Sequence, residues 1–210
     1  MLLHYAIQIG LWMFLVPVTV TVAHRMVPFF TRSVMPDYPL YQPSWMLWLV
    51  PLCGLGHALS ASLSLWAWRL IFDVPLMLAV FYLSYRWQFF RALKAERLAA
   101  VLHIAFLWLG IALLLFNVQS AWLGLTDQLI LGKAPLHALT LGFFSALVIA
   151  MVSRVTLGHS GRIPRSDTFT WLSFLGVYGV DGENIILTMK TNLKNQFCPD
   201  NTLTFEVFSD

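Results

Sequence analysis

The chain has 210 residues, of which 59% are hydrophobic and only 11% are charged, and its formal net charge is +3. A soluble domain carries charge on about a quarter of its residues, so this composition excludes an ordinary water-exposed surface. The Lys and Arg residues are scattered along the chain, which argues against nucleic acid as a partner. At roughly 20 apolar residues for each membrane-spanning helix, the length accommodates about five spans. The sequence therefore predicts an all-α membrane protein that contacts membrane lipids.

Apolar runs separated by polar breaks predict a transmembrane helical domain over residues 1–162. A proline within a run, such as Pro17, is tolerated because neighbouring helices satisfy the freed carbonyl group. The five predicted helices cover residues 2–23, 45–66, 74–90, 98–118 and 135–153. The connection between the second and third helices contains Arg69 and Asp73, which places both side chains in a loop and leaves little support for proton transport through buried acids.

Residues 163–210 form a different kind of segment, rich in Asp, Asn, Thr and Lys. Its longest apolar run, at 169–180, is too short and too polar to cross a membrane. Alternating pieces at 184–189 and 202–208 favour a β-hairpin, and the overall composition favours disorder about equally. We therefore predict a polar tail without a transmembrane helix.

The positive charges predict the orientation of the bundle. The loops after the first, third and fifth predicted helices hold nine Lys and Arg residues, against two on the opposite side. Because positively charged loops stay in the cytoplasm, this asymmetry puts the N-terminus outside and the C-terminal tail in the cytoplasm.

Histidines and arginines near the helix ends are the candidate site residues, because ionisable groups are costly to keep in a membrane. His24, His103 and His159 belong to one leaflet and converge if their helices pack together. Neutral imidazole binds haem iron, copper or zinc. Arg25 and Arg154 lie beside these histidines, and arginine pairs with carboxylates such as haem propionates. The alternative is that these side chains only anchor helix ends at the lipid headgroups.

His137 opens the fifth predicted helix on the other side, 22 residues before His159. A rise of about 1.5 Å per residue separates the two by roughly 30 Å, so they cannot bind the same ion. His57, near the middle of the second helix, is either a ligand or an interhelical hydrogen-bond donor. Met26 and Met151 are interpreted as packing residues.

The sequence contains no Ser-His-Asp arrangement, HExxH, P-loop or dinucleotide fingerprint. A non-enzymatic metal- or haem-binding role is therefore favoured over catalysis. A channel or transporter with histidines along a pore is a second alternative. It would require a polar stripe through the bilayer, which the sequence pattern does not predict.

Three segments carry a resemblance to a known family. The run from Pro135 to Arg162 opens with HALT at 137–140, continues as a small-residue helix and closes with RVTLGHSGR at 154–162. Two shorter pieces are HRMVPFF at 24–30 and Leu102-His103 followed by Trp108-Leu109. Together they resemble the NnrS family of haem- and copper-containing bacterial membrane proteins over about residues 10 to 162.

The resemblance implies an inner-membrane protein of denitrification and the nitric-oxide response that binds haem and copper. By motif position it carries cofactor contact over to five residues, namely His24, His103, His137, Arg154 and His159. Members of the family look longer, with a further N-terminal half. A truncated fragment that is non-functional or serves only in assembly is therefore an alternative, with a missing half or an oligomer supplying the other ligands.

Overall fold

The computed structural model describes residues 2–38 and 40–159, together with a few positions between 172 and 187. The interpretation of residues 163–210 as a hairpin or a disordered tail thus falls almost entirely outside the described residues. Residues 2–159 form six helices, and the few described positions between 172 and 187 are helical as well. Helix α1 has the segments Leu2–Ile9, Gly10–Leu15 (π-helical) and Val16–Val34; α2 is Trp45–Ser62, α3 is Trp66–Arg86, α4 is Phe89–Ala95 and α5 is Arg97–Thr126; α6 has the segments Ala134–His137, Ala138–Ser145 (π-helical) and Ala146–His159.

Five of these helices, all except α4, are long and apolar enough to cross a membrane. This confirms the predicted all-α membrane fold. Helix α5 is the central one. In its apolar 18-residue stretch 61% of the residues are buried, whereas the corresponding share is at most 44% in the other four membrane-spanning helices. It packs against α1, α3, α4 and α6. Large apolar side chains such as Phe14, Trp48 and Leu125 point outward, as expected of a lipid-facing surface.

Helix α1 continues 11 residues beyond its predicted end at residue 23, to Val34. The pair His24-Arg25 was expected to end it, but the helix passes through both and through Pro28. Pro28 has no N–H, so the last turns lose a hydrogen bond there, as proline requires. The side-chain amide of Gln42, in the loop that follows, donates to the Arg25 carbonyl at 3.0 Å. A loop side chain thus supports the helix near its proline.

Helix α3 begins eight residues before its predicted start at residue 74, and this corrects the placement of Arg69 and Asp73 in a loop. Both side chains are buried inside the bundle, at 6% and 1% exposure. The two residues are one helical turn apart and carry opposite charges, so they compensate each other. Because the two charges compensate each other, the helix includes both residues. The interpretation that no acid lies within a span was therefore wrong for Asp73.

The N-terminal part of α1 packs closely on α2. Val16 donates its N–H to the Leu11 carbonyl in the π-helical pattern. The next donor in that pattern would come from Pro17, which has none, so the Trp12 carbonyl has no π-helical partner. Gly54 of α2 lies directly against this carbonyl oxygen, and a Cβ at position 54 would overlap it. The helices approach this closely because residue 54 has no side chain.

We therefore expect Gly54→Ala to lower the free energy of unfolding by about 1–3 kcal/mol, the usual effect of overpacking. Because the overlapping atom belongs to the backbone, it cannot swing aside. Detergent-solubilised protein unfolded with increasing denaturant, with tryptophan fluorescence as the signal, measures the effect. Gly124→Ala in α5 is the matched control, since nothing lies within 4 Å of its added Cβ. Equal stability of the two variants would contradict the close contact.

Candidate cofactor site

His24 lies in α1 at the end of the bundle where α3 ends and α5 begins. Its side chain is 3% exposed, and neither ring nitrogen has a hydrogen-bond partner among the residues the structure describes. The Pro43 carbonyl is nearby but lies outside hydrogen-bonding geometry. An unpaired buried polar group costs about 1–3 kcal/mol, so an imidazole with two free nitrogens is an unusual arrangement. Neutral imidazole nitrogens of this kind are able to bind a metal.

His24 also lines a cavity of about 560 Å³. This volume lies within the range of about 300–1,000 Å³ that small-molecule sites occupy. Arg25 and Met26 line the same cavity, and so do Gln42 and Ser44 from the loop after α1 and the start of α2. The cavity thus offers an imidazole, a thioether and a guanidinium. Met26, interpreted from sequence as a packing residue, lies on the cavity wall.

His103 is buried in α5, and its Nε2 lies 2.9 Å from the Thr31 hydroxyl. That hydroxyl donates its own proton to the Val27 carbonyl at 2.7 Å. The hydroxyl oxygen must therefore accept from His103, which puts the imidazole proton on Nε2 and leaves Nδ1 with a lone pair. The structure thus brings His103 to α1 through Thr31.

Trp87 connects the two histidines, and sequence analysis did not single it out. Its ring centroid lies 6.3 Å from that of His24 and 6.5 Å from that of His103. The indole is fully buried and donates its N–H to the Tyr41 carbonyl at 2.8 Å. His24 and His103 thus lie next to the same aromatic ring, whereas the side chain of His159, the third histidine of that leaflet, is outside the described residues.

Arg154 in α6 closes the same end of the bundle. Its guanidinium donates to the Ser33 hydroxyl at 2.9 Å and to the Phe30 carbonyl at 3.2 Å, both in α1. It also pairs with Glu96, just before α5, at 3.4 Å. Burial raises the pKa of Glu96, and the positive charge of Arg154 opposes that shift without cancelling it. Arg154 thus joins α1, α5 and α6, and its donors contact protein groups.

The remaining predicted site residues lie apart from this group. Arg25 is exposed, and it is connected to this group by lining the same cavity as His24. His137 is half-buried at the opposite end of the bundle, so it does not join His24 and His103. Helix α6 extends to His159, but the side chain of His159 is outside the described residues. No group of three or more His, Cys, Asp or Glu residues suited to a metal occurs in the part of the chain that the structure describes.

A second buried group lies in the other half of the bundle and was not predicted. The Nδ1 of His57 lies 2.7 and 2.9 Å from the two carboxylate oxygens of Asp73, and its Nε2 lies 2.9 Å from Nη2 of Arg69. Arginine can only donate, so Nε2 of His57 accepts and Nδ1 carries the proton donated to Asp73. We call this the His57 triad: a neutral imidazole between a cation and an anion.

Aromatic side chains enclose the His57 triad. Trp12 stacks on the His57 ring with 3.5 Å between centroids, and Phe116 meets the same ring edge-on at 5.3 Å. The Arg69 guanidinium lies over the rings of Trp66 and Phe116 at 5.6 and 5.4 Å. His57 is therefore an interhelical hydrogen-bonding residue, the second of the two roles that its sequence position allowed. The spacing of Arg69 and Asp73, one turn apart, was the signal that could have identified the triad.

The fold is that of a helical membrane protein with buried histidines. The sequence matches the protein family described as NnrS protein over residues 1–180. That match covers most of the chain, and the chain therefore belongs to the NnrS family. No curated protein and no solved structure matches it.

Proposed function

We propose that this protein binds haem, copper or both in a bacterial inner membrane and acts in the nitric-oxide response or in denitrification. The observation that supports this most directly is His24, a buried imidazole at the wall of a cavity that has no hydrogen-bond partner among the described residues. Membership of the NnrS family agrees with a cofactor of this kind. In this proposal the bundle is a cofactor-binding protein without a catalytic motif of its own.

The residues at the cavity fit such a group. A ring nitrogen of His24 would bind the iron or copper, and the thioether of Met26 suits soft copper. Arg25 would contact a haem propionate, because a guanidinium fork pairs with carboxylate. The group, once bound, would supply binding of nitric oxide or transfer of one electron at the metal. His103, hydrogen-bonded to Thr31, would support the wall next to Trp87.

The described residues supply few ligands, so we propose that another chain contributes the rest. A second copy or a partner carrying further helices would complete the coordination. The excess of Lys and Arg in alternate loops supports an orientation with the N-terminus outside and the C-terminal tail in the cytoplasm. In that orientation His24 faces the cytoplasmic leaflet and His137 the opposite one.

The test is an absorption spectrum of the detergent-purified protein, oxidised and reduced, together with its copper content. We expect a Soret band or bound copper in the wild type and its loss in His24→Ala, with His24→Gln as a second variant of similar bulk. His137→Ala is the matched control, because its imidazole lies at the other end of the bundle. A wild-type protein that is folded, colourless and free of copper would overturn the proposal. If the Soret band or the bound copper were lost only in His137→Ala, the cofactor would bind near His137 and not near His24.

A further inference from the structure

A second and larger cavity, of about 980 Å³, opens at the same end of the bundle. It exists because the chain breaks between α3 and α4. Gln88, at the break, has φ of 52°, a left-handed conformation that ends α3 and redirects the chain. Helix α4 then leaves a gap beside α3 and α5. We call this gap the α3–α4 groove.

The walls of the groove are aromatic and apolar. Phe81 of α3, Phe89 of α4 and Leu107 of α5 line it. Tyr85 and Phe90 line it as well, and they are exposed at 78% and 77%. Large aromatic side chains at a helix end are typical of the boundary between headgroups and acyl chains. The groove therefore lies where a lipid chain meets its headgroup.

The polar part of the groove is positively charged. Arg86 and Arg91 line it, and no acidic side chain is among its described lining residues. The Arg86 guanidinium lies over the Tyr41 ring, with its central carbon 4.6 Å from the ring centroid. A guanidinium has five N–H donors, and contact with a ring face uses none of them as a conventional hydrogen bond. Arg91 donates to the Gln88 side chain at 3.2 Å, a single bond that leaves further N–H groups. Two guanidinium groups that line one groove suit a phosphate.

We propose that the α3–α4 groove binds one anionic phospholipid from the surrounding leaflet. Arg86 and Arg91 bind the headgroup phosphate, and an acyl chain lies along Phe81, Phe89 and Leu107. Basic pockets between transmembrane helices bind anionic headgroups in this way. No imidazole, thiol or thioether lines the groove among its described residues, so its chemistry differs from that of the cavity of His24, with which it shares the lining residue Leu40.

The experiment is native mass spectrometry of the detergent-purified protein with added phosphatidylglycerol or phosphatidylcholine of identical acyl chains. We expect one phosphatidylglycerol per chain to be retained at least tenfold more tightly than phosphatidylcholine. The double variant Arg86→Gln and Arg91→Gln should weaken the binding of phosphatidylglycerol by about 25-fold, at a factor of about five per removed charge. The matched control is Arg32→Gln with Arg97→Gln, two exposed arginines at the same end that do not line the groove.

A third variant, Leu107→Trp, fills the acyl part of the groove and leaves both arginines in place. This variant should weaken the binding of phosphatidylglycerol as well. Because the acyl chain contributes to binding, glycerol 3-phosphate at millimolar concentration should not displace phosphatidylglycerol. Equal retention of the two lipids would overturn the proposal. The proposal would also be overturned if the groove variant and the control variant weakened the binding of phosphatidylglycerol equally. That result would indicate only a diffuse attraction of positive charge to anionic lipid.

Discussion

Asp73→Asn should lower the free energy of unfolding by about 3–5 kcal/mol, the largest effect that we expect from a single substitution in this bundle. Asparagine has nearly the shape of aspartate, so packing would change little. It removes the negative charge that compensates Arg69, whose side chain is only 6% exposed. The loss thus reflects an uncompensated buried cation, not a lost contact area.

Reversible unfolding of the purified protein in mixed detergent, followed by tryptophan fluorescence, measures this loss. Asp127→Asn is the control, because Asp127 is exposed at the end of α5 and should change stability by less than about 0.5 kcal/mol. Replacing both charges, as Arg69→Met with Asp73→Leu, should cost less than Asp73→Asn alone, since no unpaired charge remains. If the double variant is the less stable of the two, charge compensation is not what the triad provides.

Arg154→Gln is expected to cost about 2–3 kcal/mol at neutral pH, because it removes charged hydrogen bonds to Ser33, Phe30 and Glu96. Its effect should also depend on pH. Burial raises the pKa of Glu96, and Arg154 opposes the rise, so the variant should raise that pKa further. A carboxyl with a raised folded-state pKa contributes stability below its unfolded pKa and loses it as the pH rises through the folded value.

The free energy of unfolding of Arg154→Gln should therefore be closest to that of the wild type at acidic pH, where Glu96 is protonated. The difference between the two should grow as the pH rises through the raised pKa of Glu96. Unfolding titrations across this range measure it. Glu96→Gln in the Arg154→Gln background is the control, because it should remove the pH dependence. A deficit that is constant with pH would show that Arg154 does not interact with Glu96.

The number of membrane-spanning helices could be predicted from the sequence, because apolar length alone decides which segments cross a membrane. The short helix α4 was not predicted, because it is too short to give such a signal. The boundaries of α1 and α3 could not be predicted in the same way. His24, Arg25, Arg69 and Asp73 look like loop residues on a hydropathy scale, which treats each charge as if it had no partner. Whether a charge is compensated depends on which helices pack together, and that information is tertiary.

The candidate site was partly predictable for the same reason. The residue types and the motif positions selected His24 and His103, and the structure brings both to Trp87. What could not be predicted is that Thr31 uses one nitrogen of His103, whereas neither nitrogen of His24 has a hydrogen-bond partner in the part of the chain that the structure describes. Trp87, apolar and near a helix end, gave no sign of lying next to both. His57 was identified as a candidate, but its partners Arg69 and Asp73 were assigned to a loop.

The His57 triad has a consequence for how the protein responds to the electric field across the membrane. A single elementary charge that crosses the whole field gains about 2.3 kcal/mol per 100 mV. Arg69 and Asp73 lie on one rigid helix, so any shift of α3 moves a positive and a negative charge by the same distance. The two contributions cancel, and the neutral His57 adds none. This pair of buried charges therefore gives the bundle no sensitivity to membrane voltage.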